Sequence, residues 1–375
     1  MLLLQMKTVK VQKSLLSKNK QRVEEELGIF SSSFFFLYDY KINLKKDGTF
    51  IGKIWKKPND CDRLYNEMKT WEEQSMTKAM LVINPSSGGE RASYYKHLAL
   101  ATLRAKFGTV ELRETTGPYD ATRFAREACE NYYDAFFVMG GDGTVNEGIS
   151  GLAEQPYRPK FGFFPLGTVN DLARALGISL HPRQAIMDIE DAVLKPLDIG
   201  KINDHYFMNV VALGDIPEEL NNVKSEQKTK LGKLAYSLAG VKALKENEQY
   251  EFLLNIDGEE MNLTTSLIMI GLTSSIGGFK HMIDPAEVDD GKLHFIALLA
   301  DNLFDTLMVA PTVLSGDLIN NEKIYYREFE HLHIALENEE TSPFSANVDG
   351  DRDDPLPLDI SVLPQHLEVY VPRKK

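Results

Sequence analysis

The stretch best suited to chemistry is rich in glycine: GGDGTVNEG at 140–148 directly follows a predicted buried strand at 135–139. Glycines let a backbone approach phosphates closely, because no Cβ stands in the way. The helix predicted next offers free N–H groups and the positive end of its dipole to an anion. Asp142 and Glu147 cannot face phosphate unaided, so they indicate a bound Mg²⁺ or contacts to a ribose. The alternative is a tight turn in which Gly and Asp serve geometry alone.

Two further loops rich in glycine and hydroxyl residues end neighbouring predicted strands. NPSSGG at 84–89 follows a strand at 80–84, and PLGTVND at 165–171 follows a strand at 161–164. Thr115, just past another predicted strand, belongs to the same edge. Alone, either loop could be an ordinary turn. The carboxyl edge of a parallel sheet is where α/β proteins bind ligands, so the loops together indicate a phosphate-binding site. No GxxxxGK[ST] motif occurs, which excludes a P-loop kinase.

In order and spacing these three motifs resemble the diacylglycerol kinase catalytic family, especially the bacterial soluble lipid kinases. The likeness continues through LDIG at 197–200, GLT at 271–273, DDG at 289–291 and NVDG at 347–350, and covers the chain from about residue 78. GGDGT alone also occurs in NAD kinases and phosphofructokinases, so the combination carries the resemblance. It implies ATP and Mg²⁺ as cofactors and transfer of the γ-phosphate to a lipid hydroxyl.

The resemblance implies roles for residues at the matching positions. Asp142 and Asp171 would place the nucleotide and the catalytic Mg²⁺. The residues implied to line the ATP site are Asn84, Pro85, Ser86, Ser87, Gly88, Thr115, Gly141, Asp142, Gly143, Thr144, Val145, Asn146, Glu147 and Thr168.

A second, structural Mg²⁺ is also implied by the resemblance. Asp290 would hold it together with the backbone carbonyls of Glu287 and Lys292, and Asp198 would link it to the active site through water. Without the resemblance, 289–291 could equally be a hairpin turn, and Asp198 would pass as a solvated residue at the end of a short strand.

The general base is where the chain departs from the family pattern. The family has Glu directly after Asp-Gly, and Asp351 stands there. A carboxylate that accepts the hydroxyl proton must lie within about 3 Å of the oxygen. Asp is one methylene shorter, and a misplacement of about 1 Å can cost on the order of 10²-fold in rate. Asp351 is the predicted base; Asp353 and Asp354 are alternatives, although a solvated acidic turn suits them better.

The hydrophobic pattern predicts the elements that position these loops. From residue 79, buried strands alternate with helices, which predicts a doubly wound parallel α/β domain for ATP at 76–171, of the NAD kinase and diacylglycerol kinase type. Short alternating strands then predict an antiparallel β-sandwich, the lipid-binding domain, at 172–364, and a C-terminal strand at 365–375 joins the first domain. The later predicted elements are strands at 205–212, 251–257, 264–272, 292–299 and 366–371 and helices at 228–246 and 302–314.

Residues 1–75 have a different texture, with six lysines and arginines before the first acid, Glu24. Met76 leads directly into the first strand of the α/β pattern. We therefore interpret 1–75 as an extension that is not native or is dispensable, with a regulatory arm as the alternative.

The composition limits the partners. A net charge of −13 argues against nucleic-acid binding, which needs a basic face. Cys61 and Cys129 form no CxxC or Cys/His cluster, which excludes a disulfide scaffold or zinc site and suits a reducing compartment. No apolar run approaches the roughly 20 residues of a spanning helix. These features predict a cytoplasmic protein with peripheral contact at the inner membrane surface.

One segment could make that membrane contact. Residues 224–245 carry six lysines and a single acid, with apolar residues at helical spacing. Such a helix suits an anionic membrane surface, and a helix packed on the β domain is the alternative. The family resemblance also implies that a homodimer can form.

The expected function is that of an ATP- and Mg²⁺-dependent lipid kinase that converts diacylglycerol into phosphatidic acid. A sphingoid base, ceramide or another glycerolipid is the alternative acceptor. Two other classes stay open: an NAD kinase, and a nucleotide- or lipid-binding regulator with little turnover because of Asp351.

Overall fold

The structure is a computed structural model, and the chain divides into two compact units, Met1–Glu73 and Gln74–Lys375. The structure describes residues 77–89, 91–214, 249–275, 283, 286–299, 309, 318–337, 345–350 and 352–373, and the backbone of 43–44 and 50–51. In the first unit, β1 (Asn43–Leu44) pairs antiparallel with β2 (Phe50–Ile51).

The second unit begins with a parallel sheet in the strand order β6-β5-β3-β4. Its strands are β3 (Lys78–Ile83), β4 (Thr109–Glu114), β5 (Ala135–Gly140) and β6 (Lys160–Pro165), connected by helices α1 (Arg91–Phe107), α2 (Asp120–Glu130) and α3 (Asp142–Leu152). All of β5, and β3 after its first residue, is buried. Unbroken apolar runs are typical of parallel strands covered on both faces, so the local pattern was sufficient to predict this sheet.

A long C-terminal strand extends the parallel sheet. β18 (Leu358–Val371) pairs in parallel with β6, where Val369 lies opposite Phe161, and antiparallel with β7 (Val193–Ile202). It begins eight residues before the predicted 366–371. Antiparallel strands continue the sheet on its far side: β15 (His331–Leu336), β10 (Tyr250–Ile256) and β11 (Glu259–Thr265), while β8 (His205–Phe207) pairs with β7.

A second sheet has six strands, all antiparallel. Its order is β14 (Ile324–Phe329), β13 (Leu293–Leu298), β12 (Leu267–Gly271), β9 (Val210–Gly214), β16 (Ser345–Val348) and β17 (Arg352–Pro355). Buried side chains of both sheets share one core, which includes Phe252, Ile334, Ile360, Val211, Ile270 and Phe295. The predicted fold class, a parallel α/β sheet with an antiparallel β-sandwich, is confirmed. One layer of the sandwich is continuous with the α/β sheet through β18.

Two predicted strands are wrong in the same way, because each is divided between the two sheets. The predicted strand 205–212 is β8 of the large sheet followed by β9 of the small one. The predicted strand 264–272 is the end of β11 followed by β12, with the change at Ser266. There Thr265 Oγ1 donates to Leu298 O (2.7 Å), which holds the chain as it changes sheet. Alternation of polar and apolar residues continues through such a crossing, so it cannot reveal the crossing.

Two short helices follow β6, α4 (Asp171–Ala175) and α5 (Pro182–Met187). The predicted helices 228–246 and 302–314 lie outside the described residues, as does the basic segment 224–245. In the part of the chain that the structure describes, no helix is long and apolar enough to cross a membrane.

Candidate active site

The predicted loops lie side by side at the carboxyl edge of the parallel strands. The first loop is held to β5 because the N–H of Asn84 donates to Met139 O (3.0 Å). The third loop is held to the same strand, because the N–H of Leu166 donates to Gly140 O (2.8 Å). Thr115 extends the neighbouring strand, since its N–H donates to Ile83 O (2.8 Å).

Close packing of the second and third loops requires glycine at position 167, which faces Gly141. A Cβ on Gly167 would lie 2.7 Å from Asn170 Oδ1, 3.0 Å from Asp142 Oδ2 and 3.1 Å from the Cα of Gly141. Gly141 precedes α3 in an extended conformation, so the helix starts directly at Asp142. The two loops therefore meet backbone to backbone, at the N-terminus of a helix, where an anion is favoured.

The first loop is organised around Asn84. Its Nδ2 donates to Thr144 Oγ1 (3.1 Å), and its Oδ1 accepts the N–H (3.2 Å) and the hydroxyl (2.8 Å) of Ser86. The N–H of Ser87 donates to Asn84 O (3.1 Å), which closes the turn that contains Pro85 and Ser87.

Arg91, which the sequence analysis did not single out, connects the first and third loops. Its Nε donates to Gly88 O (2.8 Å), and a second guanidinium nitrogen donates to Leu166 O (3.5 Å). Gly88 has a φ of 63° and a Cβ there would lie 2.9 Å from Leu166 O, so only glycine fits this position. No motif marks Arg91; only its place as the first residue of α1, after the glycines, could have suggested it.

Two carboxylates of the predicted catalytic set lie beside each other, Asp142 half-buried and Asp171 buried. Asp142 Oδ2 accepts the N–H of Asn170 (2.8 Å), and Asp171 Oδ1 accepts the hydroxyl of Ser275 (2.7 Å). Burial raises the pKa of Asp142, and the negative charge of Asp171 raises it further. The sequence motifs also did not indicate Ser275, which lies two residues beyond the GLT segment. Its hydrogen bond to Asp171 connects the segment that follows β12 to the start of α4.

Two of the predicted nucleotide residues have side chains that face elsewhere. Val145 is buried in the core of the α/β half. Glu147 Oε2 accepts the N–H of Ala121 (3.2 Å) in the first turn of α2, and Thr122 Oγ1 donates to Glu147 O (2.9 Å). Gly143 and Thr168 are exposed at the rim.

The residues predicted for the structural Mg²⁺ meet around one turn. Asp290 accepts the N–H groups of Glu287 and Lys292 (2.9 Å each), and His294 Nε2 lies 3.3 Å from its Oδ2. Burial alone would raise the pKa of Asp290, but the hydrogen bond from His294 and those two N–H groups outweigh it and lower the pKa.

Asp198 was expected, without the family resemblance, to be a solvated strand end, and that expectation is wrong. It lies in the middle of β7 and is 1% exposed. Its carboxylate accepts the N–H groups of Gly291 (2.7 Å) and Gln365 (2.5 Å). Burial raises its pKa, and the charges of Asp290 and Asp289 act in the same direction. The two N–H groups belong to segments that are far from Asp198 in sequence, so the periodicity of the strand could not predict these contacts.

Across the described residues, no three His, Cys, Asp or Glu side chains are grouped closely enough to ligate one metal ion. Mg²⁺ commonly takes only one or two carboxylates and completes its shell with water and substrate phosphates. The adjacent carboxylates of half-buried Asp142 and buried Asp171 fit such a cation. The turn at Asp290, next to Asp198, offers a second pair of carboxylates. Asp351, the predicted base, lies outside the described residues.

Comparison with known proteins matches nearly all of the second unit. The family described as "Diacylglycerol kinase catalytic domain" matches residues 78–202, and the one described as "YegS C-terminal NAD kinase beta sandwich-like domain" matches 214–371. A diacylglycerol kinase of Bacillus subtilis is 34% identical over 306 residues, which cover 80% of this chain and 98% of the relative. One of Staphylococcus carnosus is 32% identical over 296 residues, which cover 79% and 95%. A crystal structure of a diacylglycerol kinase from Bacillus anthracis superposes with a TM-score of 0.64 at 26% identity, covering 78% of this chain and 96% of that one.

Proposed function

The chain belongs to the diacylglycerol kinase catalytic-domain family, and on that premise we propose that it transfers the γ-phosphate of ATP to the hydroxyl of diacylglycerol, with Mg²⁺ as cofactor. Family membership makes it a lipid kinase; the donor, the metal ion and the acceptor are the proposal. The product would be phosphatidic acid.

One observation supports the proposal above all others. The glycine-rich loop that starts α3 and the loop before α4 pack backbone to backbone at the carboxyl edge of the parallel sheet. This arrangement exposes N–H groups and a helix N-terminus to a polyphosphate, as in other α/β proteins that bind nucleotides. The relatives named diacylglycerol kinase suggest the acceptor.

Mg²⁺ would be held by Asp142 and Asp171 together with the phosphates of the nucleotide. A structural ion would be held by Asp290 with the backbone carbonyls of Glu287 and Lys292, and Asp198 would link it to the active site through water. When bound, the cation supplies the positive charge that neutralises the transferring phosphate. The chain itself contributes the backbone N–H groups at the start of α3, which orient the triphosphate.

Asp351 is the proposed base. The lipid hydroxyl oxygen forms a new bond to the γ-phosphorus while the bond from that phosphorus to the β,γ-bridging oxygen breaks, and ADP leaves. The hydroxyl proton passes to the carboxylate of Asp351. Since phosphoryl transfer depends mainly on positioning and charge neutralisation, an Asp in place of the family Glu lowers the rate without abolishing it.

The acceptor and the protein must meet at a membrane surface, because diacylglycerol is not soluble. We propose a cytoplasmic enzyme that binds the inner membrane surface peripherally, with residues 224–245 as the contact, and that forms homodimers without nucleic-acid partners.

The test is a transfer assay with γ-labelled ATP, Mg²⁺ and micelles of diacylglycerol, ceramide or a sphingoid base, with NAD as the soluble alternative. We expect label in phosphatidic acid. Asp142→Ala abolishes transfer while circular dichroism stays that of the folded protein, and Asp351→Asn lowers the rate while ATP binding persists.

Transfer to another lipid would show that the acceptor is not diacylglycerol. Transfer only to NAD would contradict the assignment as a lipid kinase. ATP binding without transfer to any acceptor would indicate a regulator. Wild-type activity in Asp142→Ala would contradict the proposed site.

A further inference from the structure

The carboxylate of Asp349 joins three segments that are far apart in sequence. Its Oδ2 accepts Asn146 Nδ2 (2.9 Å) and the N–H of Met208 (2.8 Å), and its Oδ1 accepts the N–H groups of Asn209 and Val210 (2.9 Å each). Asn146 lies on α3, the helix that the glycine-rich loop begins. The other three N–H groups lie where the chain leaves β8 for β9 and changes sheet.

The backbone of Asp349 is fixed as firmly as its side chain. Its N–H donates to Val210 O (2.9 Å), and its φ of 51° places it in the left-handed region at the end of β16. Gly350 follows with a φ of 92°, and β17 begins at Arg352. Asp351, the proposed base, is therefore only two residues from an anchored position.

The protein contains a second turn of the same sequence type that lacks this connection. Asn255-Ile256-Asp257-Gly258 joins β10 to β11, and Asp257 also has a left-handed φ, 52°. Its carboxylate accepts the N–H groups of Glu330 (3.0 Å) and His331 (2.8 Å). These contacts tie one strand to its neighbour. Only the turn at Asp349 reaches a side chain of the glycine-rich helix.

The donors around Asp349 require an acceptor-only group. An ionised carboxylate accepts hydrogen bonds at both oxygens, whereas an amide presents its NH₂ group to some of the four donors and leaves them unpaired. Burial raises the pKa of Asp349 to about 6 against the hydrogen bonds from Met208, Val210 and Asn209, and the charge of Asp142 also raises it. Asp142 is therefore close enough to Asp349 for its charge to affect the carboxyl group in this turn.

We propose that Asp349 is a positioning residue for phosphoryl transfer: through Asn146 it holds the end of β16 and the segment 208–210 at a fixed place relative to the glycine-rich loop. The proposal rests on the proposed function, because it assigns the transferred phosphate to one side of this link and the accepting hydroxyl to the other. Asp349 touches neither; it acts through Asn146 and the segment 208–210.

The test compares Asp349→Asn with the matched control Asp257→Asn in the full chain. We expect kcat for transfer to diacylglycerol to fall about 10²-fold in Asp349→Asn, the loss that a misplacement of about 1 Å produces. The dissociation constant for ATP, measured by calorimetry, changes little, because the glycine-rich loop keeps its own contacts. Asp257→Asn keeps the kcat of the wild type. A kcat for Asp349→Asn equal to that of Asp257→Asn would overturn the proposal, and so would an equal loss of ATP binding and kcat.

A second pair of measurements separates positioning from folding. If Asp349→Asn does not fold, Asn146→Ala removes the same link from the α3 side and must show the fall in kcat. Hydrogen exchange gives a readout without the acceptor: ATP slows amide exchange at 208–210 in the wild type but not in Asp349→Asn. If the wild type binds ATP but phosphorylates no lipid, the proposed function fails. Hydrogen exchange alone then tests the link through Asp349. Equal protection of 208–210 by ATP in the wild type and in Asp349→Asn would overturn that link.

Discussion

At the scale of single residues, the site contains carboxylates that lie close enough for the charge of one to raise the pKa of the next. Burial is the largest cause of the raised pKa of Asp142, and the charge of Asp171 raises it further. Burial likewise raises the pKa of Asp349, and the charge of Asp142 adds to that effect. Backbone N–H groups and one amide side chain partly offset this repulsion. Carboxylates whose pKa values are shifted by burial and by a neighbouring charge are typical of functional sites.

The pKa of Asp349 gives a prediction about stability. Burial raises it to about 6, above the roughly 3.9 of an Asp in an unfolded chain, so between these values the folded protein holds a proton that the unfolded chain releases. The contribution of this carboxyl to stability is therefore complete below about pH 4 and is lost as the pH rises through 6. We expect the free energy of unfolding of the wild type, minus that of Asp349→Asn, to fall from pH 4 to pH 7. Urea titrations at several pH values measure it, and a difference independent of pH would show that Asp349 does not carry the raised pKa.

At the scale of elements, α3 is positioned by close contact with α2 and with β5. The contact depends on small residues: a Cβ on Gly151 would overlap Thr122 O and lie 2.6 Å from the Cβ of Ala125, and one on Gly148 would lie 2.8 Å from Val138 Cγ2. Because α3 carries the glycine-rich loop at its N-terminus, its packing sets the place of that loop. Glu147 contributes to the same contact by accepting an N–H of α2.

Gly151→Ala tests this packing. Ala favours helices by up to about 1 kcal/mol over Gly, but overpacking in a tight interface typically costs about 1–3 kcal/mol. We expect a net loss of stability, seen as a lower midpoint in thermal unfolding. Gly117→Ala is the control, because a Cβ there meets no atom within 4 Å. A midpoint for Gly151→Ala at or above that of the control would show that α2 and α3 can separate without cost.

At the scale of the whole molecule, the second unit is held together by β18, which lies between the parallel strands and the sandwich layer. Its antiparallel pairing with β7 runs almost its full length, with an irregularity between Leu363 and Leu367. That irregularity adjoins Gln365, whose N–H donates to Asp198. The strand that joins the two halves thus also contacts the proposed structural magnesium site.

The two family models match residues 78–202 and 214–371, within the second unit, and the first unit ends at Glu73. The Bacillus subtilis relative is matched over 98% of its length by only 80% of this chain. We expect a protein that starts at Met76 to keep the thermal midpoint and the kcat of the full chain, because the parallel sheet begins at Lys78. Differential scanning calorimetry and the transfer assay measure both. A shorter protein with lower stability or slower transfer would favour a regulatory arm at 1–75.

The sequence by itself determined the parallel sheet, the glycine-rich loops at its carboxyl edge and the family. These depend on local signals: continuous apolar runs in β3 and β5, and glycines directly after the strands. Tertiary structure decided which parts of the β half reach that edge. Two Asn-x-Asp-Gly turns occur, at 255–258 and 347–350, and their local patterns are alike. Of these two turns, only the second contacts α3, through the hydrogen bond between Asn146 and Asp349, which are 203 positions apart. The buried place of Asp198 and the change of sheet at Met208 have the same origin, because contacts between distant segments leave no mark in local periodicity.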